Sequence, residues 1–290
     1  MKINGQTRMA AVVANPIQYS LSPFIHNLAF EETGENGAYL AWEVAERDLI
    51  QVLHNIRALN MYGINLSMPY KSIAMWFPEN LSERAKLIGA INTIVNKNGK
   101  LTGHNTDGIG FFKSLEEEDF FPNGKTVTII GGGAAAIAII AEAALQKTRK
   151  INVFARKSES YLPLEKKLQT LSSLTAVEIE LFDLQRQDKL QEALDQSNLF
   201  INATSVGMDG QSMPISVEHT AKPELLVVDV IYKSLKTPFI KWAESQNLKA
   251  KNGLGMLIYQ AAESFKLWTG KSMPIELIKK ELSEKLYEKS

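Results

Sequence analysis

Thr126-Val127-Thr128-Ile129-Ile130-Gly131-Gly132-Gly133-Ala134-Ala135-Ala136 is the stretch that decides the fold. A short β-branched apolar run, bounded upstream by the turn cluster Phe121-Pro122-Asn123-Gly124-Lys125, reads as a buried strand. Three glycines follow it directly and open an Ala/Ile run, so strand, tight turn and helix succeed one another. This satisfies G-x-G-x-x-G/A in its proper context. Glycine permits the turn and lets backbone N–H groups approach a pyrophosphate, whose charge is favoured at the helix N-terminus. The stretch therefore points to a dinucleotide held at Gly131, Gly132, Gly133, Ala134 and Ala135; the competing reading is a buried turn without a ligand.

The tip of the following strand selects between the two nicotinamide dinucleotides, because an acid there accepts hydrogen bonds from a ribose 2′-OH. Here the strand ends in Phe154-Ala155-Arg156-Lys157-Ser158, with no acid at the tip. Arg156 and Lys157 suit a 2′-phosphate, which Arg grips bidentately and a carboxylate would repel. NADP is the expected cofactor. Glu159 is near enough to leave NAD possible, and a solvated Arg-Lys pair is the alternative.

Outward from this point, short apolar runs alternate with segments of helical period, the pattern of βαβ units in an α/β protein. Upstream, strands are expected at 9–14, 38–44, 63–67 and 90–96, with helices at 23–32 and 48–59. Downstream, strands are expected at 151–155, 176–181, 199–202 and 225–230, with helices at 134–147, near Pro163 and at 237–246. From Leu254, the residues Leu257, Ile258, Ala261, Ala262, Phe265 and Trp268 make one apolar helical stripe, and a last helix follows Pro274. A chain of 290 residues suits two domains. The expected division is a substrate domain over 1–108, a Rossmann-type dinucleotide domain with a parallel sheet over 109–252, and C-terminal helices over 253–290 packing back on the first domain.

The 32 basic and 32 acidic residues cancel, and no long run of either sign occurs, so a nucleic-acid or membrane-surface partner is not expected. A small molecule fits better. Absence of Cys excludes disulfides and a thiol nucleophile, and the four His residues lack metal-ligand spacing, so no metal is expected. The apolar run near the N-terminus is too short for a signal peptide, and no run of 18 apolar residues occurs; the expected compartment is the cytoplasm. Monomer and homodimer both remain open.

Four polar clusters fall where the pattern places strand ends, the usual location of sites in α/β folds. They are Ser20-Leu21-Ser22-Pro23, Asn65-Leu66-Ser67-Met68-Pro69-Tyr70-Lys71, Gly89-Ala90-Ile91-Asn92-Thr93 and Asn105-Thr106-Asp107-Gly108. Taken singly, Ser22 is an adequate helix N-cap and Asp107-Gly108 an ordinary turn. Taken together they supply what ketone reduction needs: hydroxyls and amides to orient a polar substrate, and one Lys with one Asp for proton transfer.

Six blocks carry a resemblance: the first, third and fourth clusters, extended to Pro16-Ile17 and His26-Asn27, then Asn202-Ala203-Thr204-Ser205-x-Gly207-Met208, Asp229-Val230-x-Tyr232, and Gly255-Met256-Leu257-x-x-Gln260-Ala261. In these blocks the chain resembles the shikimate dehydrogenases over nearly its whole length. The resemblance implies NADP-dependent, reversible reduction of 3-dehydroshikimate to shikimate, in chorismate and aromatic amino-acid biosynthesis. It implies that Ser20 and Ser22 take the substrate carboxylate, that Ser67, Asn92 and Gln260 take ring hydroxyls with Tyr232 also on the substrate, and that Lys71 and Asp107 are the catalytic pair. Thr204, Ser205, Met208, Ile231, Gly253 and Met256 would line the nicotinamide end. His26 is read as packing and capping, and His104 as a strand-end residue.

The chain departs from the family at Ser67 (usually Thr), Tyr19 (often His), Ala155 (often Asn) and Ile137 (often Arg). Ser67-Met68-Pro69 is similar to the quinate/shikimate branch, which makes relaxed use of quinate and of NAD the first alternative. A non-catalytic sensor of shikimate or of a dinucleotide is the second. Such a sensor would need neither Lys71 nor Asp107.

Overall fold

The run Arg8–Ala14 forms β1 and is buried from Ala10 onward, as expected of a strand covered on both faces. This computed structural model describes residues 3–287. Around β1 one compact unit gathers β2 (Gly37–Glu43), β3 (Gly63–Leu66), β4 (Asn80–Leu81), β5 (Thr93–Lys97) and β6 (Lys100–His104). The helices between them are α1 (Ser22–Glu32), α2 (Leu49–Ala58), α3 (Tyr70–Ile73) and α4 (Glu83–Ile88). The sheet order is β2-β1-β3-β5-β6-β4.

β2 and β3 flank β1 in parallel, but β5 is antiparallel to both β3 and β6. The strand expected at 90–96 thus starts only at Thr93 and turns back on itself. Asn98 and Gly99, at φ 54° and 83°, make the two-residue left-handed turn that matches the twist of a hairpin. The unit's core includes Leu53, Ile56, Ile64 and Ile94, all fully buried.

α5 (Asp107–Glu116) leads into the second unit, so Asp107 opens a helix and not the ordinary turn that Asp107-Gly108 suggests when taken singly. That unit runs β7 (Thr126–Ile130), α6 (Ala134–Leu145), β8 (Lys150–Ala155), α7 (Tyr161–Thr175), β9 (Glu178–Asp183), α8 (Gln187–Gln196), β10 (Leu199–Asn202), β11 (Leu226–Asp229), α9 (Pro238–Ser245) and β12 (Ala250–Lys251). All its strands are parallel, in the order β12-β11-β10-β7-β8-β9. Counted from β7 this is the doubly wound Rossmann order, whose direction reverses between β7 and β10. α6 is apolar apart from Glu142 and buried from Ala136 to Ala144, its small side chains permitting close packing on the sheet.

The two units are Met1–Gly110 with Ile258–Ser290, and Phe111–Leu257. The boundary falls inside α10 (Leu254–Thr269); α11 (Ile275–Tyr287) follows it. Phe265 packs edge-on to Phe30 at 5.2 Å, and the Trp268 indole donates to the Ile94 carbonyl at 3.0 Å. The C-terminal stripe thereby joins the core of the first unit.

His26 lies in that core, fully buried, with neither ring nitrogen hydrogen-bonded. It packs, but it does not cap. Burial lowers its pKa from the ordinary 6.5 to about 3, so the folded protein holds the ring neutral. An unfolded chain takes up the proton below pH 6.5, so stability is complete above that pH and drains away as pH falls toward 3. The slope from this one group is about 1.4 kcal/mol per pH unit. Urea titrations of His26→Leu between pH 7 and 4.5 should lose about 2–3 kcal/mol less than the parent. Parallel profiles for the two proteins would show that the ring does not carry this dependence.

Candidate active site

β3 ends at Leu66, whose N–H bonds the Asn92 carbonyl; a turn closed by Tyr70 N–H on the Ser67 carbonyl then delivers α3 and Lys71. The Lys71 carbonyl in turn accepts from Ile91 N–H. Two sequence clusters are thereby stitched side by side. Lys71 Nζ lies 2.6 Å from Asp107 Oδ2, with the lysine side chain 20% exposed and the aspartate 7%. The second carboxylate oxygen accepts from Asn92 Nδ2 at 2.8 Å. Asp107 N–H bonds Asn105 Oδ1, fixing the start of α5.

Asn92 is fully engaged within the protein. Nδ2 also donates to Thr106 Oγ1 (2.9 Å), while Oδ1 accepts from Thr106 N–H (2.9 Å) and Thr93 Oγ1 (3.0 Å). Gln260 Oε1 lies 3.5 Å from Asn92 Nδ2, and its carbonyl accepts from Thr106 Oγ1 at 3.0 Å. A Cβ at Gly110 would fall 2.4 Å from Gln260 N, so that glycine admits α10 against α5.

Ser20 and Ser22 stand at the start of α1, where Ser22 N–H bonds Ser20 Oγ at 3.3 Å. Ser22 does not cap the helix: it is the first helical residue, and Leu21, which precedes it already in helical conformation, has no side-chain cap hydrogen bond. Ser67 is half-buried. Sequence reasoning gave no role to Thr93 or Ser264, which are fully buried and 2.8 Å apart. Asn65 Nδ2 reaches Ser264 at 3.1 Å and Thr93 at 3.0 Å. The available signal for Ser264 was its position one turn beyond Gln260.

In the second unit, Gly131 follows β7 at φ 121°, and a Cβ there would lie 2.9 Å from the Ala203 carbonyl. Only glycine fits comfortably. Gly133 is different: its backbone is extended, a Cβ would meet nothing within 4 Å, and no side chain caps the helix that starts there. The first amides of α6 are therefore open, which fits a diphosphate. Arg156 and Lys157 are exposed just beyond β8, beside β7, and have no ion-pair partner among the described residues.

Asn202 closes the loop after β10: it donates to the Val206 carbonyl (3.1 Å) and accepts from Thr204 Oγ1 (2.7 Å). It also donates to Asp229 Oδ1 at 3.1 Å. Asp229 takes Ile231 N–H at 3.1 Å and Thr237 Oγ1 at 2.6 Å as well, and burial pushes its pKa up. Gly253 N–H bonds the Ile231 carbonyl at 3.0 Å. Thr204, Ser205, Ile231 and Gly253 are thus placed by one hydrogen-bonded frame, while Met208 is 56% exposed. Met256 lies in the first turns of α10, and Tyr232, expected with the substrate residues, belongs to this second unit.

Residues 12–94 match the family model of the shikimate dehydrogenase substrate binding domain, and 253–282 that of the shikimate 5'-dehydrogenase C-terminal domain. A shikimate dehydrogenase (NADP(+)) from Lactococcus lactis subsp. cremoris (strain MG1363) is 58% identical over 286 residues, covering 99% of this chain and all of that one. The chain belongs to the shikimate dehydrogenase family. Another member of that family, from Streptococcus sanguinis (strain SK36), is 54% identical over 96% of this chain and 97% of its own. Among solved structures, shikimate 5-dehydrogenase from Listeria monocytogenes, in complex with shikimate and NAD, is 41% identical. Its TM-score is 0.93, over 97% of this chain and 98% of that one.

Proposed function

We propose that this member of the shikimate dehydrogenase family catalyses the reversible, NADP-dependent reduction of 3-dehydroshikimate to shikimate, on the route to chorismate and the aromatic amino acids. The observation that carries the reading is the Lys71–Asp107 contact of 2.6 Å, braced from behind by Asn92. NADP, when bound, supplies the hydride in reduction and takes it in oxidation. Gly131, Gly132, Gly133, Ala134 and Ala135 hold its diphosphate, and Arg156 with Lys157 its 2′-phosphate. Thr204, Ser205, Met208, Ile231, Gly253 and Met256 line its nicotinamide end.

Lys71 donates a proton to the carbonyl oxygen as negative charge develops there, and accepts it back in oxidation. Asp107 holds the ammonium in place. Ser20 and Ser22 receive the substrate carboxylate, Ser67 and Gln260 face ring hydroxyls, and Tyr232 is a further substrate-binding residue. Asn92, with every hydrogen-bonding position taken, acts mainly by fixing the Asp107 carboxylate. The protein works as a cytoplasmic monomer or homodimer; no helix among the described residues is long and apolar enough to cross a membrane.

Absorbance at the reduced-nicotinamide band, followed with shikimate or quinate against NADP or NAD, tests the whole reading. Turnover should be fastest with shikimate and NADP. Comparable quinate rates would move the protein to the quinate/shikimate branch, and four zeros would leave a sensor. In the same assay Arg156→Ala should raise KM for NADP about tenfold or more, and KM for NAD little, because only NADP carries the 2′-phosphate. Equal effects on both would remove Arg156 from that role.

A further inference from the structure

β5 begins with a hydroxyl where strand packing alone would be served by valine. Thr93 is fully buried, and its side chain joins two other elements to Asn92. Its Oγ1 accepts from Asn65 Nδ2 of β3 at 3.0 Å, lies 2.8 Å from Ser264 Oγ of α10, and donates to Asn92 Oδ1 at 3.0 Å. Burying a hydroxyl costs free energy unless it is bonded, and valine has nearly the same shape and a high strand propensity. The hydroxyl therefore calls for a use beyond filling space.

The direction of these bonds follows from what each group has to give. Thr106 N–H only donates, so the Asn92 atom facing it is Oδ1, and Nδ2 is left on Asp107 Oδ1 at 2.8 Å. Asn65 Nδ2 faces the Asn92 carbonyl at 3.1 Å, which only accepts, so Asn65 Oδ1 faces Tyr39 and takes the phenol hydrogen at 2.6 Å. Tyr39 is itself held: Asn27 bonds both its N–H and its carbonyl, and the His26 ring stacks on it at 4.2 Å. With Thr93 donating to Asn92, Ser264 to Thr93 and Thr106 Oγ1 to the Gln260 carbonyl, every hydroxyl hydrogen of the group has an acceptor. The donors then run one way, from Tyr39 through Asn65, Thr93 and Asn92 to the Asp107 carboxylate, and bonds in such a chain strengthen one another.

We propose that Thr93 is a positioning residue for proton transfer: its hydroxyl holds the Asn92 amide so that Nδ2 stays on the Asp107 carboxylate, which in turn places Lys71 Nζ. The proposal rests on the reading that Lys71 and Asp107 are the catalytic pair. Thr106 holds the Asn92 amide oxygen through its N–H, and Thr93 adds a second anchor from the neighbouring position of the strand. With that anchor removed the amide can turn away from Asp107, and Lys71 loses the fixed carboxylate that orients it. Thr93 bonds Asn92 and not the carboxylate, so its effect passes through Asn92.

Steady-state kinetics of shikimate oxidation by Thr93→Val, Thr93→Ser, Asn92→Ala and the double variant Asn92→Ala with Thr93→Val test this. Thr93→Val leaves each former partner another bond: Asn65 Nδ2 keeps the Asn92 carbonyl, Ser264 the Gln260 carbonyl, and Asn92 Oδ1 the Thr106 N–H. It should fold, with kcat lowered about threefold to tenfold, the worth of one hydrogen bond, and smaller changes in KM for shikimate and for NADP. Thr93→Ser, which keeps the hydroxyl, should retain the parent kcat. In the Asn92→Ala background Thr93→Val should add nothing. Effects that multiply in the double variant, a Thr93→Ser as slow as Thr93→Val, or an unchanged kcat in folded Thr93→Val overturn the positioning role. Asn92→Ala with an unchanged kcat also overturns it, by showing that Asp107 needs no brace. Failure of the underlying reading is told apart by Lys71→Ala in the same assay, where an intact kcat removes the catalytic pair itself. Should Thr93→Val not fold, Thr93→Ala against Thr93→Ser makes the same comparison, since both lack the methyl and only Ser keeps the hydroxyl. Thr93→Ala should be the slower by about threefold to tenfold, and equal kcat values overturn the proposal.

Discussion

Replacing Lys71 by Ala should lower kcat by about 10²–10⁴-fold, the usual worth of a positioned general acid–base group. The geometry supports an effect on kcat more than on KM. Lys71 Nζ is held 2.6 Å from Asp107, and Asn92 occupies the carboxylate's other oxygen, so the ammonium sits in one place before any substrate arrives. Its gain comes as charge develops on the carbonyl oxygen, an interaction stronger in the transition state than in the ground state. A rate measured at saturating substrate, beside a thermal melt, separates this from misfolding, since the variant leaves Asp107 nearly buried without its cation. An intact kcat in a folded variant would remove Lys71 from the chemistry.

Gly133→Asp should weaken NADP binding about 100-fold or more while leaving the fold as stable as before, or slightly more so. The two effects have opposite signs for a local reason. Gly133 is the N-cap of α6, with extended backbone open to any residue and empty space where a Cβ would go. Aspartate is a better N-cap than glycine, because its carboxylate accepts the helix's open amides. Those amides are the ones assigned to the diphosphate, and a fixed carboxylate there both occupies them and repels the anion. Melting curves without cofactor and titration of NADP by isothermal calorimetry read the two effects separately. Unimpaired NADP affinity would refute the assignment. Gly131→Ala makes a useful contrast, since a left-handed φ and a carbonyl 2.9 Å away make it destabilising regardless of ligand.

The dinucleotide unit was the more legible because its central strands are buried on both faces and so read as uninterrupted apolar runs. α8 escaped notice because QDKLQEALDQ buries only Leu190, Ala193 and Leu194 and is otherwise polar. In the first unit the apolar pattern located the strands without their direction. The antiparallel return of β6 depends on Asn98-Gly99, a local signal that outweighed the parallel expectation. The polar clusters pointed to strand ends but not to the bonds between them. Asp107 looks like a turn residue in sequence, and only its pairing with Lys71, 36 positions away, distinguishes it. Tyr39 carries no local signal at all: a buried aromatic in a strand is what packing alone would produce. Its partners arrive from α1 and from β3, and such convergence exists only in three dimensions.

The division of the first unit between the two parts of the chain has a consequence for how the protein is made. A ribosome delivers Phe111–Leu257 as one uninterrupted length, whereas the unit holding Lys71 and Asp107 waits for Ile258 onward. Until then the rings of His26 and Tyr39 lack their cover from Trp268, 5.3 and 6.0 Å away in the finished protein, and Thr93 lacks Ser264. Synthesis that stops short of Trp268 therefore leaves a complete nucleotide-type unit beside an apolar, unfinished one. The newborn chain is most exposed to aggregation and to proteases in the residues made first.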